Sequence, residues 1–540
     1  MTPRRQRDSA EPHQDLERAI NVETGQDAVV STLHNVFNYT EFRLGQREVI
    51  DKILSGQDGV ALMPTGGGKT LCFGLPAVVS DGLTIVVEPT LALIQDMNER
   101  FQGLCEVISL TSENAQERDA SLLKLVHGHG NVKIVFTTPE TLLLEPVFSA
   151  ISKCNVARVV VDEVHCLDEW GHQFRPSYLC LGKLKTKCKL QIVGLTATAT
   201  KTTIQNVSKI LKLEDPFILQ QSFHRSNLKL ITSFTSSVND KFVALNQTVQ
   251  SELCTIVYCL SPSDCNDVCS YLHEHNKTSV PYHGGISPQE KNINLTKWLR
   301  GEVNIIVATK SLGMGIDKPN VRLIIHFSIP SSLHEYFQQI GRAGRDGKKS
   351  DCVLFYRFPD RSLHLTHLSK LESVRQREIC FANLRQMISF CISHTCLKLK
   401  LLEHFGEPGH DGLCNEMCSA CENSFQEEDI TNFSRETVLL LHGAHQRLSH
   451  VGVTALAKII KGSKDKTLLS KQVNQLPLYG FAKKLTISAI EDRLINLWVK
   501  EILHEEVGDT RSPHLTSGRN APDVLSGNAK VFFHTRINKH

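Results

Sequence analysis

The feature that most constrains this chain is a rhythm that occurs twice. Between residues 31 and 222, short β-rich apolar runs alternate with helical patterns: GVALM (59–63), TIVVEP (84–89), VKIVFTTP (132–139), RVVVDE (158–163) and QIVGLTAT (191–198). Runs that are apolar without alternation read as strands buried on both faces, which a parallel sheet covered by helices provides. The rhythm restarts after FHRSNLKL (223–230), with CTIVYCLS (254–261), NIIVAT (304–309), RLIIHFSIP (322–330) and CVLFYR (352–357). At 540 residues the chain is too long for one core. Two α/β lobes on a short linker are therefore expected.

The expected order is a tail over 1–30, a first lobe over 31–222 and a second over 223–358. A cysteine-rich helical module over 359–428 and a helical domain over 429–540 follow. The latter contains helices within 435–448, 452–462, 473–484 and 486–507 and closes on a strand pair. Ser512 to Gly527 reads as a polar loop. In the last helix Ile487, Ile490, Leu494, Leu497, Trp498 and Ile502 form an apolar stripe, so Trp498 is assigned to the core.

The formal net charge is only +3, so any nucleic-acid surface must be a local patch. The first residues are polar, without an apolar signal segment, and Arg4, Arg5 and Arg7 read as a weak nuclear signal or a solvated tail. Most of the 17 cysteines are scattered through apolar runs, which does not suggest a disulfide framework.

Chemistry is concentrated in a few stretches. In ALMPTGGGKTLCFGLPA (61–77) a Gly-rich turn joins a strand to a helix. Gly66, Gly67 and Gly68 let bare N–H groups approach phosphate oxygens, Lys69 reaches the β/γ phosphates, and the Thr70 hydroxyl ligates Mg²⁺. The strict pattern wants a further Gly where Met63 stands. Asp162 and Glu163 end an apolar strand, at the edge where α/β sheets bind ligands. Asp162 suits Mg²⁺, and Glu163 suits orientation or deprotonation of the attacking water. In EFRLGQREVI (41–50), the Gln46 amide can read an adenine edge and Arg43 can stack on the ring. In YFQQIGRAGRDG (336–347), Arg342 and Arg345 are three apart, on one face if helical, and suit transition-state charge on a phosphoryl group. Cys396, Cys414, Cys418 and Cys421 form a C-x17-C-x3-C-x2-C set suited to structural Zn²⁺, with Cys391 a worse-spaced substitute for Cys396.

Taken in order, FRLGQ, TGGGKT, VVEPTLALIQD, TTPE, DEVH, GLTATAT, ATKSLGMGIDKPNVR and QQIGRAGRDG resemble the motifs of superfamily 2 helicases. LCFGLPA, CLDEWGHQFRPSY, LLEHFGE and GMGIDKPNVR…GRAGRDG resemble the RecQ family of 3′-to-5′ DNA helicases, over roughly residues 35–505. The resemblance implies an α/β fold class: two tandem RecA-like parallel-sheet lobes, then a zinc-binding helical module and a winged-helix domain. It implies an ATP- and Mg²⁺-dependent DNA helicase that closes its lobes on one strand with each ATP. The loop after the acidic pair would sense single-stranded DNA through Trp170 and Phe174, which stack on bases, and Arg175. His165 would bridge towards Gln338 or GLTAT. Thr138, Thr309 and Asp317 would make phosphate contacts that position the strand without reading sequence. The winged helix would offer a strand-parting hairpin, expected between ILHEEV and KVFFHTRI. No ring stands at its tip, with His514 the nearest. No further helical module is expected before His540. Pro262 and Gln339 stand where the family usually has Arg and often Glu.

The expected partners are single-stranded and forked or branched DNA, with no membrane, and the expected location is the nucleus. The rivals are a DNA-stimulated translocase or annealing factor with weak unwinding, a binding module with a dead ATPase, and a DExH RNA helicase.

Overall fold

The computed structural model describes residues 25–537, apart from 65, 112–114, 127–130, 170–175, 314–317, 411 and 507–512. The chain divides into two compact units at Phe223/His224.

The first unit is built on a seven-stranded parallel sheet. Its strands are β1 (Gly59–Leu62), β2 (Leu83–Val87), β3 (Glu106–Leu110), β4 (Val132–Thr137), β5 (Val156–Val161), β6 (Gln191–Thr196) and β7 (Phe217–Gln220), in the order β3-β4-β2-β5-β6-β1-β7. The central strands β1, β2 and β6 are buried at every position, as their unbroken apolar runs require. Met63, which replaces the expected glycine, packs in the core with Phe73, Phe101 and Phe136, and its N–H donates to Thr196 O at 2.9 Å.

The second unit repeats the device with β8 (Leu228–Phe234), β9 (Thr255–Tyr258), β10 (Ser279–Tyr282), β11 (Ile305–Ala308), β12 (Leu323–His326) and β13 (Ser350–Tyr356), in the order β10-β11-β9-β12-β13-β8. All its pairs are parallel. The segment expected as a linker runs into β8, which forms the sheet's edge. Pro262 occupies the first turn of the helix Pro262–Glu274, behind a Ser261/Asp264 capping box, where a missing N–H costs nothing. The Gln339 carboxamide oxygen lies 2.8 Å from His326 Nε2. Burial pulls His326 down to about 4, so the imidazole is neutral and donates.

The rest of the second unit departs from expectation in three places. First, β15 (Leu503–Glu506) pairs antiparallel with β16 (His514–Ser517), not with the last strand. That strand, β17 (Phe532–Ile537), instead pairs with β14 (Ser424–Asp429). Second, the stretch expected as a polar loop contains β16 and the helix Ala521–Ser526. Third, 473–484 carries only the turn Val473–Gln475, because Pro477 and Leu478, at φ 70°, forbid a helix. The last long helix runs Ile487–Val499 and stops before Glu501, at φ 58°. Trp498 is fully buried against Phe358 and Phe381, as the apolar stripe predicts.

Buried ion pairs tie the hairpin's base to the rest of its unit. Arg361 holds Glu505 through both carboxylate oxygens, with Nε at 2.9 Å from Oε2. Arg385 pairs with Glu501. The Arg361 and Glu505 side chains are 7% and 0% exposed, so removing one partner strands the other. Glu505→Ala is expected to cost about 3–5 kcal/mol. Scanning calorimetry should show the transition of the second unit at lower temperature, and Glu505→Gln should shift it less.

Candidate functional site

The phosphate loop is shaped by its glycines. Gly66 and Gly68 have φ of 80° and 85°, a region that disfavours side chains. A Cβ on Gly68 would collide with Gln46 Nε2, and one on Gly67 would lie 2.8 Å from Pro64 O. Gly68 is the N-cap of the 11-residue helix Lys69–Val79 and offers no side-chain cap, so the helix's first N–H groups remain available to an anion. Arg43 and Gln46 serve this loop. Arg43 Nη1 donates to Gly66 O, and Gln46 Nε2 donates to Gly67 O and Gly68 O at 3.3 and 3.2 Å. Gln46 Oε1 accepts from Arg43 N at 2.7 Å. The expected adenine-reading amide is thus committed to the loop, and the expected stacking guanidinium lies on a loop carbonyl.

Lys69 and the strand-end carboxylates form one buried group. Lys69 Nζ lies 2.6 Å from Glu163 Oε1 and 3.9 Å from Asp162 Oδ1. Burial lowers the Lys69 pKa, but Glu163 and Asp162 more than offset this and leave it above its usual value. Burial raises Glu163, but Lys69 and His165 outweigh it and hold the carboxyl below its usual value. Burial pushes Asp162 up against the pull of Lys69. Glu163 sits at φ 45°, a strained conformation for a residue with a side chain, and its N–H donates to Asp162 Oδ1 at 2.8 Å. His165 Nδ1 lies 2.7 Å from Thr196 Oγ1 of GLTAT and 3.4 Å from Glu163 Oε2. The oxygens of Asp162 and Thr70 are hard donors of the kind magnesium takes.

The other expected residues are dispersed. Thr138 is buried and caps the turn Pro139–Leu142, accepting from Thr141 N at 3.3 Å. Trp170, Phe174, Arg175 and Asp317 lie outside the described residues. Tyr178, which closes the same sequence stretch, is fully buried. In the second unit, Thr309 Oγ1 lies 2.9 Å from Ser311 Oγ, and Gln338 is on the helix Leu333–Ile340. Arg342 and Arg345 follow the end of that helix at Gly341, so they do not share a helix face. Arg342 is buried and bonds to the Tyr258 side chain.

The sulfurs of Cys396, Cys414, Cys418 and Cys421 all lie within 4.8 Å of one another. A tetrahedral zinc–thiolate site spaces its sulfurs by about 3.8 Å, so the four fit one ion. A hydrogen bond from the Cys396 thiol helps bring Cys418 down to about 4, and Leu397 N–H donates to Cys418 Sγ at 3.4 Å. Cys391 is buried outside this set.

One residue was missed. Glu88, directly after β2, is a fully buried carboxylate in the field of Asp162, Glu163 and Lys69. An acidic residue closing the apolar run TIVV is the same signal that marks Asp162 after RVVV.

A phosphate loop facing strand-end carboxylates, followed by a second parallel-sheet lobe, defines a helicase-type ATPase. A DEAD/DEAH box helicase profile matches residues 43–207, and the helicase conserved C-terminal domain matches 240–347. RecQ zinc-binding matches 350–422, and the RQC domain matches 424–540. The chain is 31% identical over 515 residues to a putative ATP-dependent DNA helicase Q1 of Caenorhabditis elegans, covering 87% of this chain and 81% of that protein. It is 33% identical over 512 residues to the ATP-dependent DNA helicase RecQ of Pasteurella multocida, covering 92% and 78%. The fold is similar to Mycobacterium smegmatis helicase Lhr bound to ssDNA and AMP-PNP, at TM-score 0.52 and 18% identity, covering 93% of this chain and 62% of that one. It is also similar to Saccharomyces cerevisiae Dbp5 bound to RNA and ADP BeF3, at TM-score 0.51 and 18% identity, covering 68% and 98%. The chain belongs to the RecQ family of helicases. Among the described residues, no helix is long and apolar enough to cross a membrane.

Metal analysis tests the cysteine set. One zinc per chain is expected, lost in Cys414→Ser and Cys418→Ser and retained in Cys391→Ser. Zinc retained in Cys414→Ser would remove that residue from the site.

Proposed function

We propose that this chain is an ATP-dependent DNA helicase that moves 3′ to 5′ along single-stranded DNA and opens forked or branched duplexes in the nucleus. The carrying observation is the Lys69–Glu163 pair at 2.6 Å beneath an uncapped helix N-terminus. Loop amides and Lys69 hold the β/γ phosphates. Glu163, kept ionised by Lys69 and His165, orients the attacking water and takes its proton. Thr70 and Asp162 would hold Mg²⁺, which supplies charge to the phosphate oxygens when bound. Arg342 and Arg345 add positive charge to the transferring phosphoryl group when ATP draws the lobes together. Thr138, Thr309 and Asp317 contact phosphates of the tracked strand. Trp170, Phe174 and Arg175 report its presence to the carboxylates a few residues upstream. The relatives' names favour DNA; the fold does not choose, since its structural neighbours include RNA-bound and DNA-bound helicases.

A second reading, a translocase or annealing factor that unwinds weakly, is favoured by the hairpin. The ring nearest its tip, His514, is not free to stack: it lies against His445 and His450, and its Nδ1 accepts from Val451 N at 3.2 Å. Fork unwinding set against ATP turnover distinguishes the two.

Lys69→Ala should abolish ATP hydrolysis, a loss of at least a thousandfold, and leave single-stranded DNA binding measurable by fluorescence anisotropy. Retained hydrolysis would remove Lys69 from the site. Trp170→Ala should keep basal turnover and lose most of its stimulation by single-stranded DNA. Unchanged stimulation would end the proposed sensing role.

A further inference from the structure

Glu88 has no assigned work, and its placement is tightly determined. β2 and β5 run in register, with Val86 beside Val160 and Val87 beside Val161. Asp162 N–H donates to Val87 O at 3.0 Å, and Glu88 N–H donates to Thr137 O at 2.9 Å. One more step of this register sets Glu88 beside Asp162. In-register residues of neighbouring parallel strands share a face and lie about 4.8 Å apart. The Glu88 side chain is fully buried, and neither of its carboxylate oxygens has a hydrogen-bond partner. Its surroundings are the charges of Asp162, Glu163, Lys69 and Asp96.

A buried carboxylate without a donor is costly. Asp96 is paired with Arg100. That leaves three carboxyl groups, Glu88, Asp162 and Glu163, facing the Lys69 ammonium, with His165 adding its field at Asp162 and Glu163. A divalent cation would supply the positive charge that the carboxyl groups lack. Magnesium also keeps several of its waters, which donate the hydrogen bonds that the Glu88 oxygens lack. A proton on Glu88 is the other remedy, since burial pushes this carboxyl well above the usual range.

We propose that Glu88 is a third carboxylate of the magnesium–nucleotide site, accepting hydrogen bonds from metal-bound water beside Asp162. The proposal rests on the phosphate-loop reading above. It makes Glu88 a positioning residue, one that would hold the water shell of a metal bound by Asp162 and Thr70.

The test is binding of a fluorescent ADP analogue to the full chain, titrated with Mg²⁺, in the parent, Glu88→Gln and Glu88→Asp. Mn²⁺ binding with ADP, followed by electron paramagnetic resonance, gives a second readout. Glu88→Gln keeps the shape and loses only the charge, so a protonated structural carboxyl tolerates it and a metal-shell carboxylate does not. The half-saturating Mg²⁺ should rise about tenfold or more in Glu88→Gln, with the analogue's affinity in EDTA unchanged and Glu88→Asp intermediate. A change below threefold in Glu88→Gln would overturn the proposal and leave a protonated core carboxyl. Should Glu88→Gln fail to fold, Glu88→Asp carries the same test at the same threshold. If the parent binds the analogue no better with Mg²⁺ than in EDTA, the phosphate-loop reading falls together with the proposal.

Discussion

The first unit's site depends on a lysine held between carboxylates at the C-terminal edge of a parallel sheet. Lys69 Nζ, 2.6 Å from Glu163 and 3.9 Å from Asp162, keeps Glu163 ionised where burial alone would neutralise it. Everything around the pair serves its position. The β1 strand, buried throughout, brings the loop to the edge. Gly68 turns the chain in a conformation that a larger residue resists, and Gln46 fills the space a Cβ would take. β5 delivers the carboxylates, and the strained Glu163 backbone is held by Asp162 Oδ1 and by the sheet. Any phosphate that settles on the loop must compete with Glu163 for Lys69. On the proposed reading, nucleotide binding and release of Glu163 from Lys69 would be one electrostatic event.

The second unit is held together differently. Leu230 in β8 bridges to Cys418, and Lys398 Nζ donates to Arg225 O and Ser226 O at 3.1 and 3.3 Å, so the cysteine module is fastened to the sheet's edge strand. Arg361–Glu505 and Arg385–Glu501 fasten the hairpin's first strand and its approach to helices outside the winged helix. Buried ion pairs add little net stability compared with apolar packing, but they fix orientation strongly, because breaking one leaves a charge stranded. The hairpin is thus seated on the helices Arg361–Ser369 and Val374–Cys391 of the cysteine-rich module rather than hung from a linker.

What was legible in the sequence follows from how local each signal is. Unbroken apolar runs and a Gly-rich turn before a helix depend on neighbouring residues, and β1, β2, β5, β6 and the phosphate loop were read directly. Cysteine spacing was enough to name the four sulfurs that the fold gathers, because a tetrahedral thiolate set leaves few alternatives. Strand partnership was not legible at the C-terminus. Neither β15 nor β17 names its partner in its own residues, and the pairing of β17 with β14, in a stretch assigned mostly to the cysteine module, leaves β15 to pair with β16. Tyr178 closes the aromatic stretch CLDEWGHQFRPSY, yet it is buried beside Ser177, whose hydroxyl donates to Glu140 at 2.8 Å. Arg342 and Arg345 looked helical from their spacing, but the helix stops at Gly341.

That Ser177–Glu140 bond bears on how strand sensing and hydrolysis could share one loop. The segment that begins at the carboxylates is anchored at both ends. Cys166 N–H donates to Glu163 O at 2.9 Å, and Leu167 N–H donates to Val164 O at 3.1 Å, so the near end is continuous with the strained Glu163 backbone. The far end is held by buried Tyr178 and by Ser177 on Glu140, two residues beyond the Thr138 cap. In sequence, the proposed sensor residues 170–175 lie between these two anchors, one at Glu163 and the other beside the TTPE turn. Of the two, Glu163 has the left-handed backbone, and its side chain is held by the charge of Lys69. On the proposed reading, a displacement of Glu163 by strand binding would change the aim of the base, with no separate relay between the sensor and the water.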